Sequence, residues 1–145
     1  MIALLQRVSH ASVQVDGKQI AQIKRGLLLF IGIEKNDDES IANRLIERFL
    51  GYRVFADQEG KMNLSVTDIE GGVLLVPQFT LAADTHKGAR PSFSSAASPQ
   101  LGKALFQYVI QQTRRRYPQV CAGEFGANMQ VQLQNDGPVT FWLQA

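Results

Sequence analysis

The apolar residues of this chain follow two spacings, and a few glycines and prolines mark where one gives way to the other. Residues 1–23 read as two strands joined by Asp16-Gly17, a pair that tolerates the positive φ of a tight hairpin turn. Gly26 to Ile33 is an unbroken apolar run through Leu27, Leu28, Leu29, Phe30 and Ile31, the pattern of a strand buried on both faces. After it, Asn36 or Asp37 is placed to cap a helix whose apolar positions Ile41, Leu45 and Phe49 fall four apart. Asp38 and Glu39 put negative charge in its first turn, and Gly51 stands where it would end.

Arg53 to Ala56 and Met62 to Val66 predict short strands, and Gly72 to Leu81 a stronger one. Residues 82–97 are polar, small and glycine-containing, which predicts an irregular surface loop. Ser98 as cap with Pro99 at the first helical position opens a second helix. Its buried stripe is Leu101, Leu105, Tyr108 and Val109, and Pro118 stops it. Met129 to Leu133 and Val139 to Leu143 predict two last strands on either side of a Gly137-Pro138 break. A strand-rich order with two helices predicts an α+β fold: a curved, mostly antiparallel sheet or partial β-barrel covered by the two helices.

Composition changes this picture little. A length of 145 residues suits a single domain over 1–145, and 45% hydrophobic with 19% charged residues is ordinary for a globular chain. No apolar run approaches the roughly 20 residues needed to span a bilayer. The N-terminus lacks the pattern of a secretory signal, so a cytoplasmic protein with no membrane partner is expected. The single cysteine, Cys121, excludes an internal disulfide framework and a thiolate zinc cluster. A net charge of +2 does not announce a nucleic-acid protein, which would usually show a dense basic face; were RNA the ligand, the chain would grip a small piece of it and not track a long backbone.

The usual catalytic parts are nearly absent. His10 lies at a strand end and His86 in the polar loop, and neither has a partnered acid or nucleophile in view. Asp37-Asp38-Glu39 reads as helix capping, no cluster has metal-ligand spacing, and no cofactor is expected. Gly71-Gly72 leads into a strand and not a helix, which removes a nucleotide-binding loop. Backbone chemistry, assisted by a few polar side chains, is what remains.

Two segments stand out against that background: Val76-Pro77-Gln78-Phe79-Thr80-Leu81 and Asn135-Asp136-Gly137-Pro138-Val139-Thr140. Proline inside strand-like sequence gives no ladder hydrogen bond, so its presence points to a required backbone shape. Together the segments resemble the two signature motifs of the D-aminoacyl-tRNA deacylases (the D-tyrosyl-tRNA(Tyr) deacylase family). Met1-Ile2-Ala3-Leu4, Gln6-Arg7-Val8, Ala11-Ser12-Val13, Lys61-Met62-Asn63-Leu64, Arg90-Pro91-Ser92-Phe93 and Met129-Gln130-Val131 resemble other blocks of the family, so the likeness covers the whole chain. One departure is Pro77, where the family usually has serine.

The resemblance implies an ester hydrolase acting at the 3′ end of charged tRNA, releasing D-amino acids, and glycine mischarged on tRNA(Ala), and sparing L-aminoacyl-tRNA. It implies that the Phe79 N–H meets the developing oxyanion and that the 2′-hydroxyl of the terminal adenosine assists water, which would select RNA over DNA. It implies further a homodimer with sites at the subunit interface. There a cis Gly137-Pro138 peptide enters the partner's pocket and leaves no room for an L side chain, with Arg7 holding its carbonyls. Met129 is implied to contact substrate. From the residues alone, Thr80 is either a nucleophile or a β-branched packing residue, and Gln78 either orients substrate or is an exposed strand-end amide. Two other readings stay open: the same fold editing a wrong L-amino acid, and a non-catalytic dimer binding RNA ends.

Overall fold

The computed structural model describes residues 1–145 and resolves eight strands and two helices. The strands are β1 (Ile2–Val15), β2 (Lys18–Ile23), β3 (Gly26–Gly32), β4 (Phe55–Ala56), β5 (Met62–Leu64), β6 (Gly72–Pro77), β7 (Val120–Ala122) and β8 (Met129–Gln144). The helices are α1 (Glu39–Leu50) and α2 (Pro99–Arg116). Asp16 and Gly17 take φ of 49° and 75°, so the β1–β2 turn is the positive-φ hairpin that the sequence predicts.

β1 organises the sheet. One of its edges pairs antiparallel with β8 from Ile2 to Val15, with interruptions at Arg7 and Ser9. The other pairs with β3 through residues 2–8 and with β2 through residues 11–15. β6 then lies parallel to β3, and β7 parallel to β6. The sheet is therefore mixed: the antiparallel half is larger, and the parallel half follows from the long α1 and α2 connections, which parallel neighbours require. It curls until β2 approaches β6 and β7, giving the partial barrel.

The curl creates two apolar cores. Leu27, Leu29 and Ile31 of β3 face the larger, shared with Leu45, Phe49, Phe106 and Val109 of the helices. Leu28 faces the smaller, inside the curl, with Val8, Val13, Ile23, Leu74 and Val76. β3 is thus buried on both sides, and each fully buried Leu or Ile contributes roughly 1.5–3 kcal/mol.

Both helices form where expected, with one correction. The cap of α1 is Asp38, whose Oδ1 accepts from Ile41 N–H at 2.8 Å, and not Asn36 or Asp37. Asp37 is instead buried, accepting from the Met1 ammonium at 2.6 Å and from Glu34 N–H at 2.7 Å. Ser98 caps α2 by accepting from Leu101 N–H, with Pro99 in the first turn. The α2 stripe comprises Leu105, Phe106, Val109 and Thr113, while Leu101 and Tyr108 are half-buried at its edge.

Three strand predictions change. The segment expected from Arg53 contracts to Phe55–Ala56, and the next ends at Leu64. The strand expected to reach Leu81 stops at Pro77. On the β7 side Val73 donates to Gln119 O, and Gly123 donates to Leu75 O. The next donor in that series would be the N–H of residue 77, which proline lacks. Gln78 N–H makes the last β3 bond, to Ile31 O at 2.8 Å, and Phe79–Ala82 then winds into a 3₁₀ turn.

The two strands expected around Gly137-Pro138 are one strand, β8, carrying an excursion. Val8 pairs with Asn135 and Gln6 with Thr140, so residues 136–139 stand opposite Arg7 with no partner on β1. The Asn135 side chain closes the excursion, accepting from Val139 N–H at 2.7 Å and donating to Val139 O at 3.2 Å and Thr140 Oγ1 at 3.0 Å. A side-chain amide thus replaces the missing ladder bonds.

A candidate ester-hydrolase site

A cleft of about 490 Å³ opens where β6 ends and the chain leaves β7. Its floor is Ile31, Ile33, Val76 and Pro77, and its walls are Gln78 and Phe79 on one side and Phe125, Gly126, Ala127, Met129 and Val131 on the other. Ala97, Ser98, Pro99 and Gly102 close the end beneath α2. None of these lining residues carries an ionisable side chain. A second hollow of about 560 Å³ lies at the opposite ends of β6 and β7, between the β2–β3 turn and residues 69–72. It is more open to solvent and contains no residue of either motif.

The polar resources of the cleft are main-chain groups, the Ser98 hydroxyl that caps α2, and Gln78 with its partner Thr80. The 3₁₀ turn begins with Leu81 N–H donating to Gln78 O, and Ala83 N–H donates to Thr80 O. The turn's own bonds therefore leave the N–H groups of Phe79 and Thr80 unmatched at its start, as at any helix beginning. Gln78 Nε2 donates to Thr80 Oγ1 at 2.5 Å, so the two side chains fix each other. Thr80 lies on the rim and has no base beside it. The Phe79 ring is 58% exposed, so it is no core residue, and Phe93 lies against it at a centroid distance of 5.1 Å. Phe93 and Phe125 are contributions that the sequence reading missed. Phe93 sits in the quoted Arg-Pro-Ser-Phe block, but nothing local says which ring it meets.

Gly137 and Pro138 lie elsewhere. The peptide between them is cis. Arg7 Nε donates to Asp136 O at 2.8 Å and Nη1 to Val54 O at 2.6 Å, with the Asp136 carboxylate 3.7 Å away. Gly137 has φ of 154°, and a Cβ there would stand 2.6 Å from Val139 N, so this position is reserved for glycine. From Val131 in the cleft wall to Gly137 is roughly 20 Å along β8. Within one chain, Phe79, Gln78, Thr80 and Met129 come together, and Arg7, Gly137 and Pro138 come together, but the two groups do not meet.

The remaining candidates stay apart from both. His10 faces solvent beside Ser9, His86 sits on the loop, and half-buried Cys121 contacts Gln22 O at the seam between β2 and β7. Asp68 sits in a turn where the Ser65 hydroxyl and N–H, then Arg53, hold its carboxyl below the usual range. Burial first, then Glu70, pushes the Tyr117 phenol up, and its hydroxyl donates to Gly71 O at 2.5 Å.

A shaped cleft with backbone donors and no acid–base side chain suits an activated ester, which needs positioning and an oxyanion site more than a nucleophile. The model of the D-Tyr-tRNA(Tyr) deacylase family matches residues 4–144, and the chain belongs to that family, hydrolases of the aminoacyl-tRNA ester bond. It is 59% identical over 144 residues to a D-aminoacyl-tRNA deacylase of Janthinobacterium sp. (strain Marseille), covering 99% of this chain and 97% of that one. It is 58% identical to the D-aminoacyl-tRNA deacylase of Escherichia coli (strain K12 / DH10B), covering 99% of each. Among solved structures, one named c-Myc DNA Unwinding Element Binding Protein superposes with a TM-score of 0.96 at 38% identity, covering 100% of this chain and 99% of that one. A probable eukaryotic D-amino acid tRNA deacylase superposes at 0.86 over 99% of this chain and 98% of that one; at 17% identity this likeness concerns the fold.

Proposed function

We propose that the chain hydrolyses D-aminoacyl-tRNA, and glycyl-tRNA mischarged on tRNA(Ala), to free amino acid and tRNA, as a cytoplasmic homodimer that proofreads chirality. The observation that carries this reading is a cleft lined by Phe79, whose N–H has no partner, and by no ionisable side chain. Water attacks the ester carbonyl, the oxyanion is met by Phe79 N–H, and the bond to the ribose oxygen breaks as a proton passes to it. The neighbouring 2′-hydroxyl assists the water. Gln78 and Thr80 orient the turn, and Met129 contacts the bound adenosine.

Selectivity rests with Gly137-Pro138 of the second protomer. The separation of the two motifs within one chain supports this, because each cleft is incomplete without a copy of the Asn135–Thr140 excursion. So does β8, whose outer edge is unpaired and carries exposed Phe141 and Trp142. The Gly-Pro carbonyls accept from the substrate ammonium and occupy the space that an L side chain needs. Glycine has no side chain to exclude and passes.

The test is deacylation of matched D-tyrosyl-tRNA, L-tyrosyl-tRNA and glycyl-tRNA(Ala) at catalytic enzyme concentration. Loss of the D and glycyl esters with the L ester intact is expected. Hydrolysis of the L ester would overturn the filter, and no turnover of any would overturn the activity. Charging a tRNA that ends in 2′-deoxyadenosine isolates the hydroxyl, whose removal is expected to abolish turnover.

A further inference from the structure

An aminoacyl end placed in this cleft is the terminus of a strand, and the preceding nucleotides must leave across one of the rims. The rims differ in charge. The 124–128 turn offers exposed Glu124. The 84–93 loop offers Lys87 and Arg90, both exposed and neither in an ion pair, while its one acid, Asp84, accepts from His86 N–H at 2.9 Å.

That loop is held in place at its base. Asp84 and Ser92 exchange backbone bonds of 2.8 and 3.0 Å, and Gly88 at φ 67° turns the tip between them. Below it, Lys35 N–H donates to Ser95 O and Ala97 N–H to Ile33 O, both at 3.0 Å, which ties the segment to the end of β3. The same segment sets Phe93, 44% exposed, against Phe79 at the mouth of the cleft. Two solvent-facing rings in contact beside two unpaired cations form the combination that single-stranded nucleic acid recognises: a face for a base and charge for the phosphates that follow.

From this juxtaposition we infer that the 84–93 loop is the exit track of the RNA strand. The Phe93 ring stacks under the base preceding the terminal adenosine, and Lys87 and Arg90 neutralise the phosphates 5′ to it. The inference rests on the tRNA reading above, and it makes the loop a determinant of affinity for the strand, leaving the ester chemistry to the cleft.

The experiment compares D-tyrosyl-tRNA with 3′-O-D-tyrosyl-adenosine, which presents the same ester without phosphates. The Lys87→Gln/Arg90→Gln enzyme is expected to lose about tenfold in kcat/KM on the tRNA, through KM, and nothing on the nucleoside ester. The salt slope of log(kcat/KM) should fall by about 1.4, the value for two contacts on a single strand. The control, Arg114→Gln/Arg115→Gln, removes two exposed arginines about 24 Å away along α2. Equal losses on both substrates, an unchanged slope, or an equal effect of the control pair would overturn the exit track. Failure of the parent enzyme on both substrates would instead remove the hydrolase reading, so the two failures are distinct.

Discussion

Replacing Arg7 tests the link between fold and selectivity most directly. Its side chain is 15% exposed and bonds two carbonyls from different segments, Asp136 O at 2.8 Å and Val54 O at 2.6 Å. A lysine retains the charge, but one ammonium on a flexible stem does not reproduce the fork that holds both. A hydrogen bond to a charged group contributes about 1.5–3 kcal/mol. Losing one of the two in Arg7→Lys is therefore expected to cost about 2 kcal/mol, and losing both in Arg7→Ala about 3–4 kcal/mol. With a urea dependence of about 2 kcal/mol per molar, the lysine variant's unfolding midpoint should fall by about 1 M at fixed protein concentration. The functional effect is of similar size in free energy. Asp136 O immediately precedes Gly137, and a displacement of about 1 Å at a reacting centre costs up to 100-fold. D-Tyrosyl-tRNA deacylation is expected to fall 10- to 100-fold in Arg7→Lys, with hydrolysis of the L ester rising relative to the D. A midpoint within about 0.2 M of the parent together with an unchanged D/L ratio would refute the argument and make Arg7 an ordinary strand arginine.

Three further outcomes are expected. Phe79→Pro removes the proposed oxyanion donor at the first position of a 3₁₀ turn, where proline is tolerated. It should lower kcat 100- to 1000-fold, while Phe79→Leu, which keeps the N–H, should lose less than tenfold. Gly26→Ala puts a Cβ 1.9 Å from Gly72 O at the start of the parallel pair, so at least about 3 kcal/mol of stability should be lost, read by thermal unfolding. The lowered Asp68 pKa means stability that is fully present above the ordinary carboxylate range and lost as pH falls through the folded value. Asp68→Asn should therefore be less stable at pH 7 and show a shallower acid limb in a pH series of urea midpoints.

The elements that announced themselves did so through local chemistry. Ser98-Pro99, Asp16-Gly17 and the Leu27–Ile31 run specify a cap, a turn and a doubly buried strand with little help from the rest of the chain. The misread boundaries were decided by partners far away. Asp37 is a good helix cap in isolation, but the Met1 ammonium draws it inward and Asp38 takes the cap. Residues 72–81 are uniformly strand-like in side chain; what stops the strand is the donor that Pro77 cannot give to the β7 side. The Asn135–Val139 excursion reads as a break, because nothing in periodicity reveals that one amide side chain bridges it. The site was legible as two motifs, but their distance from each other was not. Phe93 remained unseen because its ring meets Phe79 only through a loop whose path β3 dictates.

β8 carries a cleft wall at its first residues, in Met129 and Val131, and the Asn135–Val139 excursion near its middle. In the proposed pair each copy of this strand serves two reaction centres, one in its own protomer and one across the two-fold axis. A lengthwise slip of β8 by a single pairing step would displace a wall here and a filter there at once. Insertions and deletions in this strand should therefore be far less tolerated than in the exposed 58–61 turn between β4 and β5. The bulged register of β8 against β1 acts as a gauge that sets the spacing between two sites with one ruler.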